Sequence, residues 1–239
     1  MNQAIEERTG EAALGAAQAV AEAARDALAQ ARTRRDDLLV LAAHDIRNAV
    51  GIVDSALTMI EDAPELVPSM HAMMRRATHR LGILARALVD VDLLQREAMP
   101  LVPTASRWTT IVTPVVEAAL PVAATKEITL APGGDLGCEL ACDATLLAHT
   151  VAALLDHAIG TAPNGSVVDV EGERLGVDRF RVRIAHRGRA IATGALEKYF
   201  TTLPLRFARL AAARHGGTLR AVSPLDAGVG VAFELELTA

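Results

Sequence analysis

The sequence predicts an α+β protein in which an N-terminal helical hairpin is followed by an α/β sandwich. Apolar residues recur at alternating spacings of three and four through most of the first hundred residues, which is typical of helices that pack lengthwise. Two pairs of prolines, Pro64 with Pro68 and Pro100 with Pro103, interrupt this pattern and mark a turn and a linker. After the second pair, glycines and β-branched residues become frequent, and helix patterns alternate with strand patterns.

The helical half divides into an extension, residues 1–30, and a hairpin, residues 31–98. The extension is rich in alanine, and its apolar pattern fits either a weak coiled coil or a lone helix. Residues 11–61 predict one long helix and residues 69–98 a second, joined by the proline-containing turn. The a/d positions of the first helix, called the seam below, are Leu39, Ala42, Ile46, Ala49, Val53, Ala56 and Ile60. Since one hairpin cannot cover its own seam, we expect a homodimer in which two hairpins pack as a four-helix bundle.

The second half is predicted to begin with a linker, residues 99–107, and to continue as a sandwich over residues 108–239. Asp143 is placed to cap a helix, and two alternating segments, 166–171 and 179–185, predict a β-hairpin. The predicted helices cover 108–124, 143–159 and 205–214. The predicted strands cover 127–130, 137–141, 166–171, 179–185, 218–223 and 230–237, with a turn at 131–135.

Composition and charge argue against several classes of protein. The chain has 239 residues and a net charge of −5, so no overall basic field indicates a nucleic-acid partner. The start lacks the pattern of a signal peptide, and Asp54 interrupts the best candidate for a membrane span. Cys138 and Cys142 do not have the spacing of a zinc site and fit a reducing compartment. We therefore expect a soluble, cytoplasmic protein without a metal site.

One titratable residue, His44, lies in the middle of the first predicted helix and off the seam. It belongs to a more polar stripe, formed by Asp37, Leu41, His44, Asn48 and Ser55. An imidazole on the outer face of a bundle helix is accessible, so His44 is a candidate nucleophile. A solvated helix face without a chemical role is the alternative interpretation.

The order of motifs, from about residue 30 to the end, resembles the cytoplasmic core of bacterial sensor histidine kinases. His44-Asp-Ile-Arg-Asn-Ala49 resembles the H-box of the dimerisation and phosphotransfer domain, with Ala49 in place of the usual proline. Four later segments resemble the Bergerat-type ATP-binding domain: residues 151–160 the N-box helix, 188–191 the G1 box, 196–202 the F-box and 214–219 the end of the last helix. The resemblance implies a helical dimerisation domain followed by an ATPase-like α/β sandwich.

Most residues that contact nucleotide in this family are replaced here. The family's two magnesium-binding asparagines, its adenine-binding aspartate, its second G1 glycine and its G2 glycines are all absent, whereas the first G1 glycine, Gly188, is kept. The replaced positions, in that order, are Ala153, His157, His186, Ala190, Thr202 and Pro204. The mobile lid before the G2 box is also missing. The resemblance therefore implies a degenerate ATPase-like domain that needs neither ATP nor a metal of its own.

A kept histidine beside a lost ATP site resembles the dimeric histidine phosphotransferases that look like degenerate histidine kinases. The resemblance implies that His44 takes a phosphoryl group from the receiver domain of one response regulator and passes it to another. An upstream hybrid histidine kinase is a further expected partner, and the receiver domain supplies Mg²⁺. Asp45 is expected to hold the second ring nitrogen of His44, Arg47 to balance phosphoryl charge, and Asn48 to orient a water.

Three other interpretations stay open. The chain fits an atypical histidine kinase or phosphatase that binds nucleotide through a rebuilt pocket, and Arg187, Arg189 and Arg206 fit a rebuilt anion site as well as a solvated loop. It also fits a non-catalytic pseudokinase scaffold that sequesters response regulators or partner kinases. An unrelated bundle protein with a helical histidine is the last alternative.

Overall fold

The computed structural model describes residues 2–95, 100–196, 200–225 and 229–238, without the side chains of residues 2–17, 19, 34, 64 and 193. The chain divides into two compact units, Met1–Leu41 and Ala42–Ala239. None of the helices in the described ranges is both long and apolar enough to cross a membrane.

The first unit is the N-terminal part of helix α1, which spans Asn2–Asp62 and is longer than predicted. Three of its apolar residues, Ala21, Ala24 and Leu28, are exposed in the single chain. The apolar pattern before residue 18 lies outside the described side chains. Whether the extension over residues 1–30 forms a coiled coil stays a prediction, as do the domain boundaries.

The second unit begins with the remainder of α1 and the helix that follows it. A single 3₁₀ turn, Pro64–Leu66, connects α1 to α2, which spans Val67–Gln95. Pro68 lies in the first turn of α2, where its missing N–H would have no helical partner in any case. The predicted hairpin is therefore two helices joined by a proline-containing turn, and its predicted end at residue 98 lies outside the described residues.

The buried face of α1 follows the predicted seam with one shift. Three alanines of the seam are buried and three larger residues are half-buried: Ala42, Ala49 and Ala56, and Ile46, Val53 and Ile60. Leu39 is 48% exposed in the single chain, and the buried line passes through Leu38 one position earlier. Asp45, outside the predicted seam, is buried as well.

The sandwich consists of three helices and two sheets in the described residues. The helices are α3 (Trp108–Ala124), α4 (Ala144–Thr161) and α5 (Leu203–Arg214). The strands are β1 (Thr104–Arg107), β2 (Thr129–Gly134), β3 (Glu139–Cys142), β4 (Val167–Arg174), β5 (Arg179–His186), β6 (Thr218–Val222) and β7 (Val231–Thr238). The main sheet has the order β2-β4-β5-β7-β6, and only the β2–β4 pair is parallel; β1 and β3 pair separately. The predicted hairpin is confirmed as β4–β5.

The turn predicted at residues 131–135 is wrong. Residues 131–134 continue β2 and pair in register with β4, so that Pro132 lies opposite Val170. Proline is tolerated there because β2 is an edge strand, which needs no N–H on its open side. The strand ends at Gly134, whose positive φ of 82° and close approach to the backbone of Gly172 leave no room for a Cβ.

The core lies between the main sheet and the three helices. Trp108 and Phe180 are fully buried, and their ring centroids are 5.6 Å apart. A Cβ on Gly172 would lie 2.5 Å from the indole nitrogen of Trp108, so glycine is required beneath this ring. Cys138 and Cys142 are free and buried, and burial raises the pKa of the Cys142 thiol to about 11. The cysteines therefore act as small apolar core residues.

Side chains form hydrogen bonds with backbone groups at both ends of α4. At the N-terminus Asp143 Oδ1 accepts from the backbone N–H of Leu146 at 3.0 Å, which confirms the predicted cap. At the C-terminus the ammonium group of Lys126 donates to the carbonyls of Ile159, Gly160 and Ala162 at 2.8, 3.1 and 2.7 Å. A cation is stabilising at this end of the helix dipole, so α4 is fixed firmly in the sandwich.

One face of α4 places a histidine in the core. The His157 ring packs edge-on against Phe233 of β7, with 5.4 Å between the ring centroids. Burial, together with the charges of Arg80 and His186, lowers the pKa of His157 to about 4. The folded protein therefore keeps this imidazole neutral.

We expect His157 to lower the free energy of unfolding by about 2 kcal/mol between pH 7 and pH 5. The unfolded chain protonates this residue near its usual pKa of 6.5, whereas the folded chain does so only near 4. The unfolded state binds more protons over this window, so acid favours unfolding. Urea denaturation at both pH values measures the loss, which should be absent in His157→Phe.

The same variant serves as the control for other titrating groups. Burial raises the pKa of Asp156, which works in the opposite direction, but that residue is present in both proteins. An equal pH dependence of stability in the wild type and in His157→Phe would contradict the assignment.

Candidate functional site

His44 lies on the outer face of α1 in the second unit, and its side chain is 67% exposed. The Nδ1 atom is 3.5 Å from Asp45 Oδ1 and 3.3 Å from Asn48 Nδ2, while Nε2 is 3.5 Å from the same amide nitrogen. Asn48 reaches the ring because residues four apart share one face of a helix. The imidazole is therefore accessible and has two polar neighbours on its own helix, as the sequence predicts.

Arg47 is exposed, and no hydrogen bond or ion pair joins it to another residue of the described ranges. Its guanidinium is free to meet a phosphoryl group that arrives from solvent. Its predicted role in balancing phosphoryl charge stays a prediction.

Asp45 is arranged differently from the other residues of the H-box-like motif. It is only 6% exposed, and its Oδ2 atom accepts from the backbone N–H of Leu203, the first residue of α5, at 3.4 Å. The carboxylate thus links His44 to a helix of the sandwich. Sequence reasoning missed this contact, since the two residues are 158 positions apart and the donor is a backbone group.

Neither side chain at the two N-box positions, Ala153 and His157, is placed to bind a metal ion or a phosphate. Ala153 is buried and offers no polar side-chain atom, and the ring of His157 is part of the core beneath β7. Across the described ranges, no cluster of three or more His, Cys, Asp or Glu residues could hold a metal ion. These residues do not fit the magnesium ion that the family places here.

The position of the adenine-binding aspartate is occupied by a histidine whose two nitrogens both have partners. The His186 Nδ1 atom accepts from the N–H of Gly188 at 3.1 Å, so the ring proton is on Nε2. That nitrogen lies 3.1 Å from Thr161 Oγ1 and donates to it, while the hydroxyl donates to the carbonyl of His157 at 2.9 Å. Burial and the charge of Lys126 lower the pKa of His186 and favour this neutral form.

The presence of glycine at position 188, in the G1 box, is explained by its close approach to the His186 ring. A Cβ on Gly188 would lie 2.7 Å from His186 Nδ1, so a larger residue would displace the ring. The loop is tied further by Gly230, which donates its N–H to the carbonyl of Gly188 at 2.8 Å, and by Ile191, which donates its N–H to the Ser223 hydroxyl at 2.8 Å. Ala190, the other G1 position, is half-buried within this loop. The G1 region is a packed structural loop.

The G2 positions form the start of α5. Thr202 is its N-cap residue but makes no capping bond with its side chain, and Pro204 has no N–H to offer. Within the described residues, the Thr202 hydroxyl has no hydrogen-bond partner. Residues 196–202 alone separate the 3₁₀ turn Thr193–Ala195 from α5, and 197–199 lie outside the described residues. In the part of this segment that the structure describes, Pro204 therefore stands where a glycine-rich G2 loop would present a backbone amide.

A cleft of about 610 Å³ lies between α2, α3 and α4. Two His–Asp contacts cross it from α2 to α4: His79 Nε2 is 3.9 Å from Asp156 Oδ1, and His149 Nδ1 is 3.0 Å from Asp90 Oδ2. Burial raises the pKa of Asp156, and His79 opposes that shift. Sequence reasoning missed these pairs, because each joins two helices that are far apart in the chain.

Comparison with known proteins supplies the family context. No protein-family model matches the chain. It is 25% identical over 229 residues to "Sensor-like histidine kinase SenX3" of Mycolicibacterium smegmatis, which covers 87% of this chain and 59% of that protein. The SenX3 protein of Mycobacterium tuberculosis (strain H37Rv) is 26% identical over 231 residues, 88% of this chain and 55% of that protein. The chain thus spans less than two thirds of the length of these relatives.

Solved structures of histidine kinases share the fold. The Acinetobacter baumannii histidine kinase AdeS superposes with a TM-score of 0.60 at 18% identity, covering 82% of this chain and 97% of AdeS. The histidine kinase ThkA, solved in complex with the response regulator TrrA, gives a TM-score of 0.59 at 21% identity, covering 87% of this chain and 64% of that chain. The chain is therefore similar to sensor histidine kinases in sequence and in fold, with a helical region followed by an ATPase-like domain.

Proposed function

We propose that the chain is a two-component signalling protein that carries a phosphoryl group on His44 between receiver domains without using ATP. The observation that carries the proposal is the contrast between two regions. His44 is exposed and has polar neighbours, whereas the former adenine position, His186, uses both ring nitrogens within the fold. A kinase would need an adenine-binding site at the position of His186, whereas a phosphotransferase needs only the exposed His44.

The chemistry requires little of the helix. When Asp45 accepts a hydrogen bond from Nδ1–H, the lone pair of Nε2 is free to attack the phosphorus of an aspartyl phosphate on a receiver. The P–O bond to the aspartate breaks, the Nε2–P bond forms, and the receiver's carboxylate leaves. Arg47 lies next to the attacked group and offsets its charge, and Asn48 orients the ring or a water. The metal that neutralises the phosphoryl oxygens comes from the receiver.

A homodimer supports this function and is part of the proposal. Apolar residues remain exposed on both sides of the buried line of α1, in the connecting 3₁₀ turn and on α2: Val50, Ile52, Leu57, Met59, Leu66, Val67 and Val89. Val50 and Leu57 are one heptad apart, as are Ile52 and Met59, so each pair forms a stripe along the helix. A second hairpin would cover these stripes as a four-helix bundle.

Receiver domains are the proposed partners. The structurally similar kinase ThkA was solved in complex with the response regulator TrrA, which makes a receiver a reasonable partner for the exposed helix around His44. An upstream hybrid histidine kinase would provide a phosphorylated receiver in the same way.

Transfer from a receiver tests the proposal directly. Receiver domains from the source genome are loaded with ³²P from labelled acetyl phosphate, mixed with the full chain, and the label is located by mass spectrometry. We expect phosphate on His44 and none in His44→Gln. His71→Gln is the matched control, since His71 is an exposed histidine on α2, and it should accept label like the wild type. Absence of label with every receiver, or equal labelling of His44→Gln, would refute the phosphotransferase.

Nucleotide binding separates this proposal from the atypical kinase. We expect calorimetric titration with Mg·ATP to show no saturable heat up to about 1 mM, a concentration equivalent to a binding free energy of about −4 kcal/mol. Both ring nitrogens of His186 are engaged within the fold, which leaves no acceptor for the adenine amino group, and α5 begins with a proline in its first turn. The core of an active sensor histidine kinase is the positive control. Saturable binding together with ATP-derived phosphate on His44 would establish the kinase.

A further inference from the structure

The first turn of α5 is capped from outside its own segment. Its N-cap residue, Thr202, makes no side-chain bond, and its second residue is a proline. The bond to the N–H of Leu203 comes from Asp45 of α1. A carboxylate at a helix N-terminus is stabilised by the helix dipole, and a buried carboxylate without partners would be costly. The sandwich therefore binds the acid that follows the reactive histidine.

We propose that the first turn of α5 positions Asp45 and thereby holds His44 in a less reactive state, so that the sandwich controls the phosphohistidine site from within the chain. This inference rests on the proposed function of His44. It assigns to the former G2 region a role in positioning the H-box acid, and it makes Leu203 a positioning residue through its backbone N–H.

The distances show that the carboxylate is shared. One oxygen lies 3.5 Å from His44 Nδ1 and the other 3.4 Å from the Leu203 nitrogen. Both values are beyond the usual 2.7–3.2 Å of a good N–H···O bond, roughly the range in which such bonds are strong. Asp45 therefore does not close fully on His44 while α5 is in place. Once released, it can form the shorter charge-assisted bond expected for this pair.

Asn48 is a second polar neighbour of the His44 ring while Asp45 is held. Its amide nitrogen, a donor, lies 3.3 Å from Nδ1 and 3.5 Å from Nε2, so it can use the lone pair of either ring nitrogen. A full bond to Asp45 requires the ring proton on Nδ1. That tautomer leaves the lone pair of Nε2 to a phosphoryl group. Release of Asp45 from α5 thus favours the nucleophilic tautomer of His44.

The docked state has further supports that do not involve Asp45. α5 packs along α2, and the contacts His79–Asp156 and His149–Asp90 join α2 to α4. Asp90 is buried, and its contact with His149 at 3.0 Å is the shorter of the two. A change that breaks this contact should weaken docking at a distance from His44. This provides an independent way to release Asp45.

The matched pair Thr202→Asp and Thr202→Asn tests the inference. Both side chains can cap α5 locally, but only aspartate adds a like charge beside Asp45. The full chain is phosphorylated with phosphoramidate, which needs no receiver: its P–N bond breaks, ammonia leaves and the Nε2–P bond of His44 forms. We expect Thr202→Asp to react about fivefold faster than the wild type, roughly the factor that one hydrogen bond contributes, and Thr202→Asn to match the wild type.

Two further variants separate positioning from a general structural effect. In an Asp45→Asn background, Thr202→Asp should no longer raise the rate, because the carboxylate it releases is absent. His149→Gln should raise the rate without any change at Thr202 or Asp45, which keeps the test valid if Thr202→Asp fails to fold. Equal rates in the wild type, Thr202→Asp and His149→Gln would overturn the inference while leaving the proposed function intact. Label on His71 but none on His44 in every variant would overturn both.

Discussion

The burial of α4 on two sides is the constraint on which the rest of the structure depends. One side of the helix packs on the main sheet, where His157 meets Phe233, and another faces α2 across the cleft. A polar group on a helix buried in this way needs a partner within the fold. Ala153 fills one of the former ligand positions with the smallest side chain available to a helix, and His157 fills the other with a ring kept neutral by burial.

The segments that resemble the N-box and the G1 box take part in a network of internal hydrogen bonds. His186 joins the G1 loop to the end of α4 through Gly188 and Thr161, and Lys126 binds the last carbonyls of the same helix. Each bond satisfies a group that would otherwise be left in a partly buried place. The replacements therefore form a coherent set. A histidine at the aspartate position supplies a donor and an acceptor, and both are used by neighbours in the fold.

The features that were predicted correctly from the sequence depend on interactions between residues close together in the chain. The cap at Asp143, the hairpin β4–β5 and the exposure of His44 follow from capping, alternation and helical periodicity, all of which act within a few residues. The turn expected at residues 131–135 failed because pairing with β4, a distant segment, extends β2 through Pro132. The burial of Asp45 could not be predicted either. A charged residue is predicted to face solvent unless a partner for its charge is known. The partner of Asp45 is the backbone N–H of Leu203, which belongs to a helix 158 residues further along the chain.

On the proposed function, the contact between Asp45 and Leu203 gives a physical reason for the sandwich to remain attached to the helix that carries His44. A histidine that accepts phosphate from any approaching donor would be discharged as indiscriminately as it is charged. Control requires a state in which the imidazole is accessible but less reactive, and a second state a few hydrogen bonds away. The long contacts around His44, all between 3.3 and 3.5 Å, describe an acid divided between two donors, so a small movement of α5 is enough to shift it. A docking receiver that competes with α5 for this end of the hairpin would then activate the histidine as it arrives.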